Sequence, residues 1–181
     1  MAQEMFDVLD DRGNKTGEVL SNDLVHEREL WHGVVHVWIL NSKNEILLQL
    51  RGPKMKLFPN CWDTSVAGHI SAGDTKEQAA LREIEEEIGV KVDEDDLTEL
   101  GAMSEQLPYK AGGKHKEHVW VFLLRKDLDI ASLKLQSNEL TEVKWFSAKE
   151  LEDLLKDSRG RKKFSAHDDA LFYFAISAAK N

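Results

Sequence analysis

The stretch of sequence that most constrains the fold is a single helical segment at residues 75–88. Thr75 and Gln78 have the spacing of a capping box, and no glycine or proline interrupts the residues that follow. Gly89 stands where a helix C-terminus favours glycine. The segment therefore predicts a helix with two defined ends, which must pack one face against the rest of the protein.

This helix carries an unusual group of charges beside its apolar face. Glu83, Glu86 and Glu87 recur at a spacing of three and four residues, so they share one side of the helix. Carboxylates this close repel one another, and negative charge is not favoured near a helix C-terminus. Arg82 can neutralise one of them, and Mg²⁺, which prefers oxygen ligands, could neutralise the rest. At this point a merely solvated acidic face remains the alternative.

The order of the predicted elements suggests one domain that spans residues 1–181. Its 181 residues are 41% hydrophobic, which is enough to build one core. Residues 1–30 predict a hairpin followed by a short helix, and a short strand is expected at 64–67. Because strands and helices do not alternate regularly, the chain predicts a mixed β-sheet packed between helices. The other predicted strands and helices comprise residues 34–40, 45–51, 97–107, 116–124, 142–146, 147–156 and 166–179.

Charge and cysteine content limit the partners and the compartment. The chain has 24 basic and 33 acidic residues, a net charge of −9, which disfavours a broad surface for polymeric nucleic acid or for a membrane. The only cysteine, Cys61, allows no internal disulfide, so we expect a reducing, cytoplasmic location. The sequence leaves open whether the protein is a monomer or a homodimer.

Residues 68–90, GHISAGDTKEQAALREIEEEIGV, resemble the Nudix box. The pattern of that box is Gly-x5-Glu-x7-Arg-Glu-aliphatic-x-Glu-Glu-x-Gly-aliphatic, and Asp74 replaces its first Glu. The resemblance implies an α+β fold of the Nudix type, an α/β/α sandwich around a central mixed β-sheet. It also implies a hydrolase that uses Mg²⁺ or Mn²⁺ to cleave a diphosphate linkage in a small molecule. The positions that match in register are Gly68, Arg82, Glu83, Ile84, Glu86, Glu87, Gly89 and Val90.

The same resemblance implies roles for individual residues. The metal ligands would be the Gly68 carbonyl and the carboxylates of Glu83, Glu86 and Glu87, with Arg82 orienting those carboxylates. Glu117 would be a distal carboxylate that helps bind the metal or acts as a general base. The first candidate substrates are nucleoside diphosphates and nucleotide derivatives, and prenyl diphosphates come next.

A second resemblance is to isopentenyl-diphosphate isomerase, an enzyme with a Nudix fold. It is carried by Trp31-His32, by the hairpin in residues 34–51, by Phe58-Pro59-Asn60-Cys61-Trp62 and by Ser65-Val66-Ala67-Gly68-His69. His26, His32 and His69 match histidines that bind the metal of the isomerase, which implies a second metal site here. Glu117 matches one of its metal-binding glutamates, and His115 stands at the other. Arg51 and Lys56 correspond to residues that hold its diphosphate.

Two departures favour hydrolysis over isomerisation. Ala67 replaces the cysteine that serves the isomerase as an acid/base group, and the Arg-Glu-x-x-Glu-Glu core of the Nudix box is intact. An isomerase-like enzyme and a catalytically weak Nudix-fold binding or regulatory protein remain the alternatives. We expect His36 to be a structural residue of its strand, and Glu105 to be an ordinary polar residue at a strand edge.

Overall fold

The computed structural model describes residues 3–109 and 113–181, which build one mixed β-sheet with helices on both faces. The strands are β1 (Met5–Leu9), β2 (Lys15–Ser21), β3 (Trp31–Leu40), β4 (Glu45–Arg51), β5 (Trp62–Asp63), β6 (Val66–His69), β7 (Leu97–Pro108), β8 (Lys114–Arg125) and β9 (Leu140–Ser147). The helices are α1 (Asn22–Glu27), α2 (Lys76–Ile88), α3 (Ala148–Lys156), α4 (Ser158–Arg161) and α5 (Asp169–Lys180). Two short 3-10 turns lie at Glu94–Asp96 and Ile130–Ser132.

Strand β3 organises the sheet. It runs parallel to β8 along nearly its whole length, and β7 continues the sheet beyond β8 in the antiparallel sense. Because side chains alternate between the two faces of a strand, Val34 and Trp38 pack towards α3 and α5, whereas Val35 and Val37 pack towards α2. The predicted sandwich of helices around a mixed sheet is confirmed.

On its other side β3 pairs with three strands in succession. Strand β1, which carries β2 at its outer edge, meets β3 only at Trp31. Strand β6 pairs with β3 at residues 34–37, while β4 pairs with β3 only at Ile39 and Leu40. Strand β4 then continues with β5 and β9 as its neighbours. The sheet therefore splits into two branches, one ending in β4 and β5 and the other in β6.

Helix α2 forms as predicted and covers the face of the sheet next to this split. Both hydrogen bonds of the capping box between Thr75 and Gln78 are present, and Gly89 ends the helix with a φ of 72°. Ile84 and Ile88 are fully buried against the sheet. The acidic face of the helix is thereby turned towards the branch that ends in β6.

Several predicted boundaries differ from the structure, and two of the differences have an identifiable cause. Instead of one strand at residues 64–67, the structure has β5 before residue 64 and β6 after residue 65. The Ser65 side chain separates them, because it accepts a hydrogen bond from the Ile39 N–H and donates one to the Leu47 carbonyl. The last helix begins at Asp169 rather than at residue 166, because Asp168 caps it by accepting from the Ala170 N–H. His167 is therefore outside the helix. None of the helices in the described residues has the length and apolar character that a bilayer span requires.

Candidate active site

A cavity of about 530 Å³ lies where the sheet divides, and it gathers the predicted site residues. Helix α2 supplies its acidic wall, strand β6 its floor next to that wall, and the loop after β4 its basic wall. His32 is not in the wall itself but is in ring contact with His69 at a centroid distance of 5.3 Å. The predicted site residues in the wall are His26, Arg51, Lys56, Gly68, His69, Arg82, Glu83, Glu86, Glu87 and Glu117.

Three carboxylates on the last turns of α2 form what we call the carboxylate cluster: Glu83, Glu86 and Glu87. Glu83 and Glu87 are buried, with exposed fractions of 9% and 3%, whereas Glu86 is open to solvent. Burial raises the pKa of Glu83 to about 7 against the opposing effect of Arg82, and burial together with Glu83 raises the pKa of Glu87 well above its usual value. Since a bound cation would favour the charged carboxylates, the cluster fits a divalent metal ion.

Gly68 and Arg82 position the carboxylate cluster. A side chain at Gly68 would collide with the carboxyl group of Glu83, so only glycine lets β6 approach the helix this closely. The Arg82 guanidinium donates to Glu83 at 2.6 Å, to Glu86 at 3.5 Å and to the carbonyl of His69 at 2.8 Å. Arg82 thus ties the helix to the end of β6 and contacts two of the three carboxylates.

Glu87 is held from the opposite side of the cavity. The side-chain amide of Gln49 donates to its carboxylate at 3.2 Å, and the backbone N–H of Ala67 donates to the same oxygen at 3.4 Å. Gln49 was not predicted as a site residue, although it follows Leu47 on the face of β4 that is turned towards α2. The alternation of β4 is the signal that could have identified it.

Arg51 and Lys56 form the basic wall. Arg51 is fixed by two hydrogen bonds, one to the carbonyl of Leu57 at 3.0 Å and one to the carboxylate of Asp63 at 3.1 Å. Its side chain is 17% exposed, which leaves it partly accessible from the cavity. An arginine with a fixed planar group is well suited to bind phosphate oxygens.

Four imidazoles from four different elements form the histidine cluster: His26, His32, His69 and His115. Each offers one nitrogen, and these nitrogens all lie within 4.8 Å of one another. The Nε2 atoms of His26 and His115 are 2.7 Å apart, and the Nε2 atoms of His32 and His69 are buried without a hydrogen-bond partner. The structure thus adds His115 to the three histidines that the sequence had grouped.

Glu117 belongs to the surroundings of the histidine cluster. Its carboxylate accepts from His115 at 2.8 Å and lies 4.0 Å from Nε2 of His32. Burial would raise the pKa of Glu117, but the hydrogen bond from His115 and the nearby imidazoles hold it well below its usual value. Burial lowers the pKa of His26 to about 4, and it also lowers the pKa values of His32 and His69. His26, His32 and His69 therefore offer neutral imidazoles beside the charged carboxylate of Glu117, which is the form in which these groups bind metals.

Three further polar residues line the cavity and were not among the predicted site residues. Asp63 and His167 both line it, and the Nε2 atom of His167 lies 3.4 Å from the Asp63 carboxylate. Glu139 lines it as well, and its carboxylate accepts from Gln136 at 2.8 Å. No motif marks these residues, because each lies in or beside a loop whose path depends on the assembled fold.

A comparison with models of protein families finds a match that includes most of the residues around the cavity. The model of the NUDIX domain matches residues 30–167. Nudix hydrolase 3 of Arabidopsis thaliana is 35% identical over 86% of this chain, although the chain spans only 21% of the length of that protein. An uncharacterized Nudix hydrolase of Listeria monocytogenes is 31% identical over 83% of this chain and 84% of its own length. Isopentenyl-diphosphate Delta-isomerase 1 of Mus musculus is 28% identical over 84% of this chain and 73% of its own length.

Solved structures show the same fold. A Deinococcus radiodurans crystal structure superposes with a TM-score of 0.71 over 98% of this chain and 100% of that chain, at 24% identity. The NUDIX domain of Shewanella oneidensis NrtR, crystallised with ADP ribose, superposes with a TM-score of 0.58 over 81% of this chain and 86% of that chain, at 16% identity.

Proposed function

Because this chain belongs to the Nudix hydrolase family, we propose that it uses Mg²⁺ or Mn²⁺ to hydrolyse a phosphoric anhydride bond in a small diphosphate compound. The observation that carries the proposal is the pair of buried carboxylates, Glu83 and Glu87, beside a glycine that leaves them room, in a cavity whose other wall carries Arg51. Buried carboxylates need a cation, and Arg51, although paired with Asp63, is partly exposed to the cavity and can donate to an anion there as well. A metal-bound diphosphate satisfies both.

The carboxylate cluster is the proposed metal site, with Gly68 contributing its backbone carbonyl. When bound there, a divalent ion neutralises charge on the phosphate oxygens and activates a water molecule for attack. Arg82 holds Glu83 and Glu86 in position through its two hydrogen bonds. Glu117 is the proposed distal carboxylate, since it lines the same cavity.

Arg51 and Lys56 are the proposed binding residues for the diphosphate. The guanidinium of Arg51 is oriented by Leu57 and Asp63 before any substrate arrives, so little side-chain entropy is lost on binding. Lys56 extends the positive charge along the loop that forms this wall.

We assign a second metal ion to the histidine cluster together with Glu117. Imidazole nitrogens suit Zn²⁺ or Mn²⁺ better than Mg²⁺, and two of the four rings have a buried Nε2 atom without a partner. This site rests on His26, His32 and His69, as the sequence implied, and on His115.

A polar leaving group suits the cavity better than a prenyl chain. His36, Asp63 and His167 all contribute to its wall, and all three are buried and polar. An apolar chain placed against them would remove these groups from water without offering hydrogen bonds. We therefore favour nucleoside diphosphates or nucleotide derivatives as substrates, and the ADP ribose bound by the Shewanella domain is a compound of this class.

Isomerisation is the second candidate, and the likeness to the mouse isomerase is the observation that supports it. Ala67 lies beside Gly68 with a methyl group that can neither give nor take a proton. A weakly active binding or regulatory protein is the third candidate. A single domain over the whole chain, a cytoplasmic location and a homodimer stay predictions.

The decisive test is a panel of diphosphate compounds with product identification. Purified protein is incubated with Mg²⁺ or Mn²⁺ and with nucleoside diphosphates, nucleotide sugars, ADP ribose and prenyl diphosphates. We expect metal-dependent release of a monophosphate or of phosphate, fastest with a nucleotide compound. No release from any compound would reject hydrolysis and favour the binding protein, while deuterium exchange into isopentenyl diphosphate without hydrolysis would establish the isomerase.

A further inference from the structure

A third group of buried ligand-type side chains stands apart from the two clusters described so far. His36 in β3, Glu105 in β7 and His167 before α5 each offer one nitrogen or oxygen, and these three atoms lie within 4.8 Å of one another. Their exposed fractions are 3%, 7% and 7%. We call this group the inner triad.

Strand register places His36 and Glu105, two members of the inner triad, on the same face of the sheet. Glu105 stands opposite Glu117 across β7 and β8, and Glu117 stands beside His32 of β3. His36 follows His32 on the same face of β3. His167 completes the group because the cap at Asp168 leaves it outside α5.

Two atoms of the inner triad are buried without a hydrogen-bond partner. They are Nδ1 of His36 and Oε2 of Glu105. A buried polar atom costs free energy unless something satisfies it, and two of them in one group of three residues point to a common partner. A metal ion is such a partner, because it accepts one electron pair from each ligand.

The third member is oriented by acidic neighbours. His167 donates from Nδ1 to Glu105 at 2.7 Å, and its Nε2 atom lies 3.4 Å from Asp63. Asp63 is fixed in turn by Ser165 at 2.9 Å and by Arg51 at 3.1 Å. Carboxylates that orient an imidazole in this way support metal-bound histidines in many proteins.

The charges around His167 also favour a bound cation. Its Nδ1 atom lies 2.7 Å from Glu105 and its Nε2 atom lies 3.4 Å from Asp63, so this imidazole stands between two buried carboxylates. A divalent ion bound to His167 and Glu105 would be flanked by negative charge, and its binding would release any proton on that nitrogen into solvent.

We propose that His36, Glu105 and His167 bind a transition-metal ion such as Zn²⁺, at a site separate from the carboxylate cluster and from the histidine cluster. Two imidazoles and one carboxylate leave coordination positions open, and they suit Zn²⁺, Mn²⁺ or Fe²⁺ rather than Mg²⁺. The ion enters from the cavity, because His36 and His167 both line it. Ligands of a tetrahedral Zn²⁺ lie about 3.3 Å apart, so only small side-chain movements are needed.

Zn²⁺ counting tests the proposal without any assay of hydrolysis. The full-length protein and its variants are loaded with Zn²⁺, dialysed against a weak chelator and analysed for bound metal. We expect Glu105→Gln and His36→Gln each to retain one equivalent fewer than the wild type. His69→Gln should lose one equivalent of Zn²⁺ from the histidine cluster instead. The double variant that combines Glu105→Gln with His69→Gln should therefore lose two equivalents.

His118→Gln is the matched control, because His118 is also a buried strand histidine but is satisfied by Ser104 at 2.7 Å and by the Asp10 carbonyl at 2.8 Å. The His118→Gln protein should bind as many Zn²⁺ ions as the wild type. Glu105→Gln and His36→Gln proteins with native circular dichroism and an undiminished count would overturn the proposal.

A second measurement needs no variant. Zn²⁺ bound to the inner triad should slow carbethoxylation of His36 by diethylpyrocarbonate at least tenfold, because His36 lines the cavity and its Nδ1 atom has no other partner. Peptide mass spectrometry measures the modification. Equal rates of modification with and without Zn²⁺ would also reject the site.

Discussion

The carboxylate cluster and the histidine cluster lie in one cavity but are built in opposite ways. All three carboxylates come from adjacent turns of α2, whereas the four histidines come from α1, β3, β6 and β8. The first offers oxygen ligands, two of them buried and one exposed, and the second offers nitrogen ligands. Oxygen favours Mg²⁺ and imidazole favours transition metals, so ligand type allows one cavity to hold two different ions.

The two clusters also differ in how pH affects metal binding. Burial raises the pKa of Glu83 to about 7, so this carboxyl group must lose a proton before it can bind a cation near neutral pH. Burial lowers the pKa of His26 to about 4, so this imidazole is already neutral and ready to bind. We therefore expect Mg²⁺ affinity to rise from pH 6 to pH 8 and Zn²⁺ affinity to change much less.

The largest expected effect follows from removing one charge of the carboxylate cluster. Glu86→Gln should lower kcat by about three orders of magnitude, because the metal site loses a ligand that no neighbour replaces. Glu85→Gln is the control, since Glu85 lies on the same helix but is exposed and paired with Lys91. Steady-state kinetics of both variants measure the difference, and equal turnover would remove the carboxylate cluster from the reaction.

Gly68→Ala tests the close approach of β6 to α2. The new methyl group would displace the Glu83 carboxyl group, and we expect about a hundredfold loss of kcat/KM at saturating Mg²⁺. Gly73→Ala is the comparison, because a side chain there meets open space although the φ of 89° makes it strained. Gly73→Ala should lower the melting temperature and leave kcat/KM within a factor of about three. Wild-type turnover of Gly68→Ala would show that this approach is not needed.

His69→Gln separates the two clusters most clearly. Turnover with Mg²⁺ should fall less than tenfold, while the rise in melting temperature caused by Zn²⁺ should shrink, because only the histidine cluster loses a ligand. Thermal unfolding with and without Zn²⁺, measured beside Mg²⁺ kinetics, gives both values. A collapse of turnover comparable to that of Glu86→Gln would mean that the two clusters act as one site.

The smallest effect concerns the stability of the metal-free protein. A carboxyl group with a raised pKa binds more protons in the folded state, so the free energy of unfolding falls as pH rises between the two pKa values, for Glu83 from 4.5 to about 7. Glu87 shifts in the same direction. Glu87→Gln should therefore raise the free energy of unfolding at pH 8 by about 1 kcal/mol and have less effect at pH 4. Denaturant titrations in EDTA at both pH values check this, and destabilisation at pH 8 would contradict it.

The carboxylate cluster comes from one helix and the histidine cluster from four elements, and this difference explains which of them local sequence patterns could predict. The cap at Thr75, the stop at Gly89 and the spacing of the glutamates act within one helix, so local rules were sufficient to predict them. The histidines meet only after β3, β6 and β8 have paired, and three of them were grouped through a resemblance rather than through any local pattern.

Residues of the inner triad show where local rules fail. Glu105 lies on an edge strand, and whether it points inward depends on the register of β7 against β8, which includes a bulge between Glu99 and Gly101. His167 was placed inside the last helix, and the cap by Asp168 moved the helix start beyond it. In both cases a shift of one to three residues decides whether the side chain joins the inner triad.

Mn²⁺ binding followed by electron paramagnetic resonance shows whether the carboxylates of α2 hold a divalent cation. Free Mn²⁺ is titrated with wild type, Glu86→Gln and Glu85→Gln at pH 8 without substrate. We predict that Glu86→Gln loses one class of bound Mn²⁺ or weakens it at least tenfold, while Glu85→Gln matches the wild type. Identical binding curves for all three proteins would contradict the account.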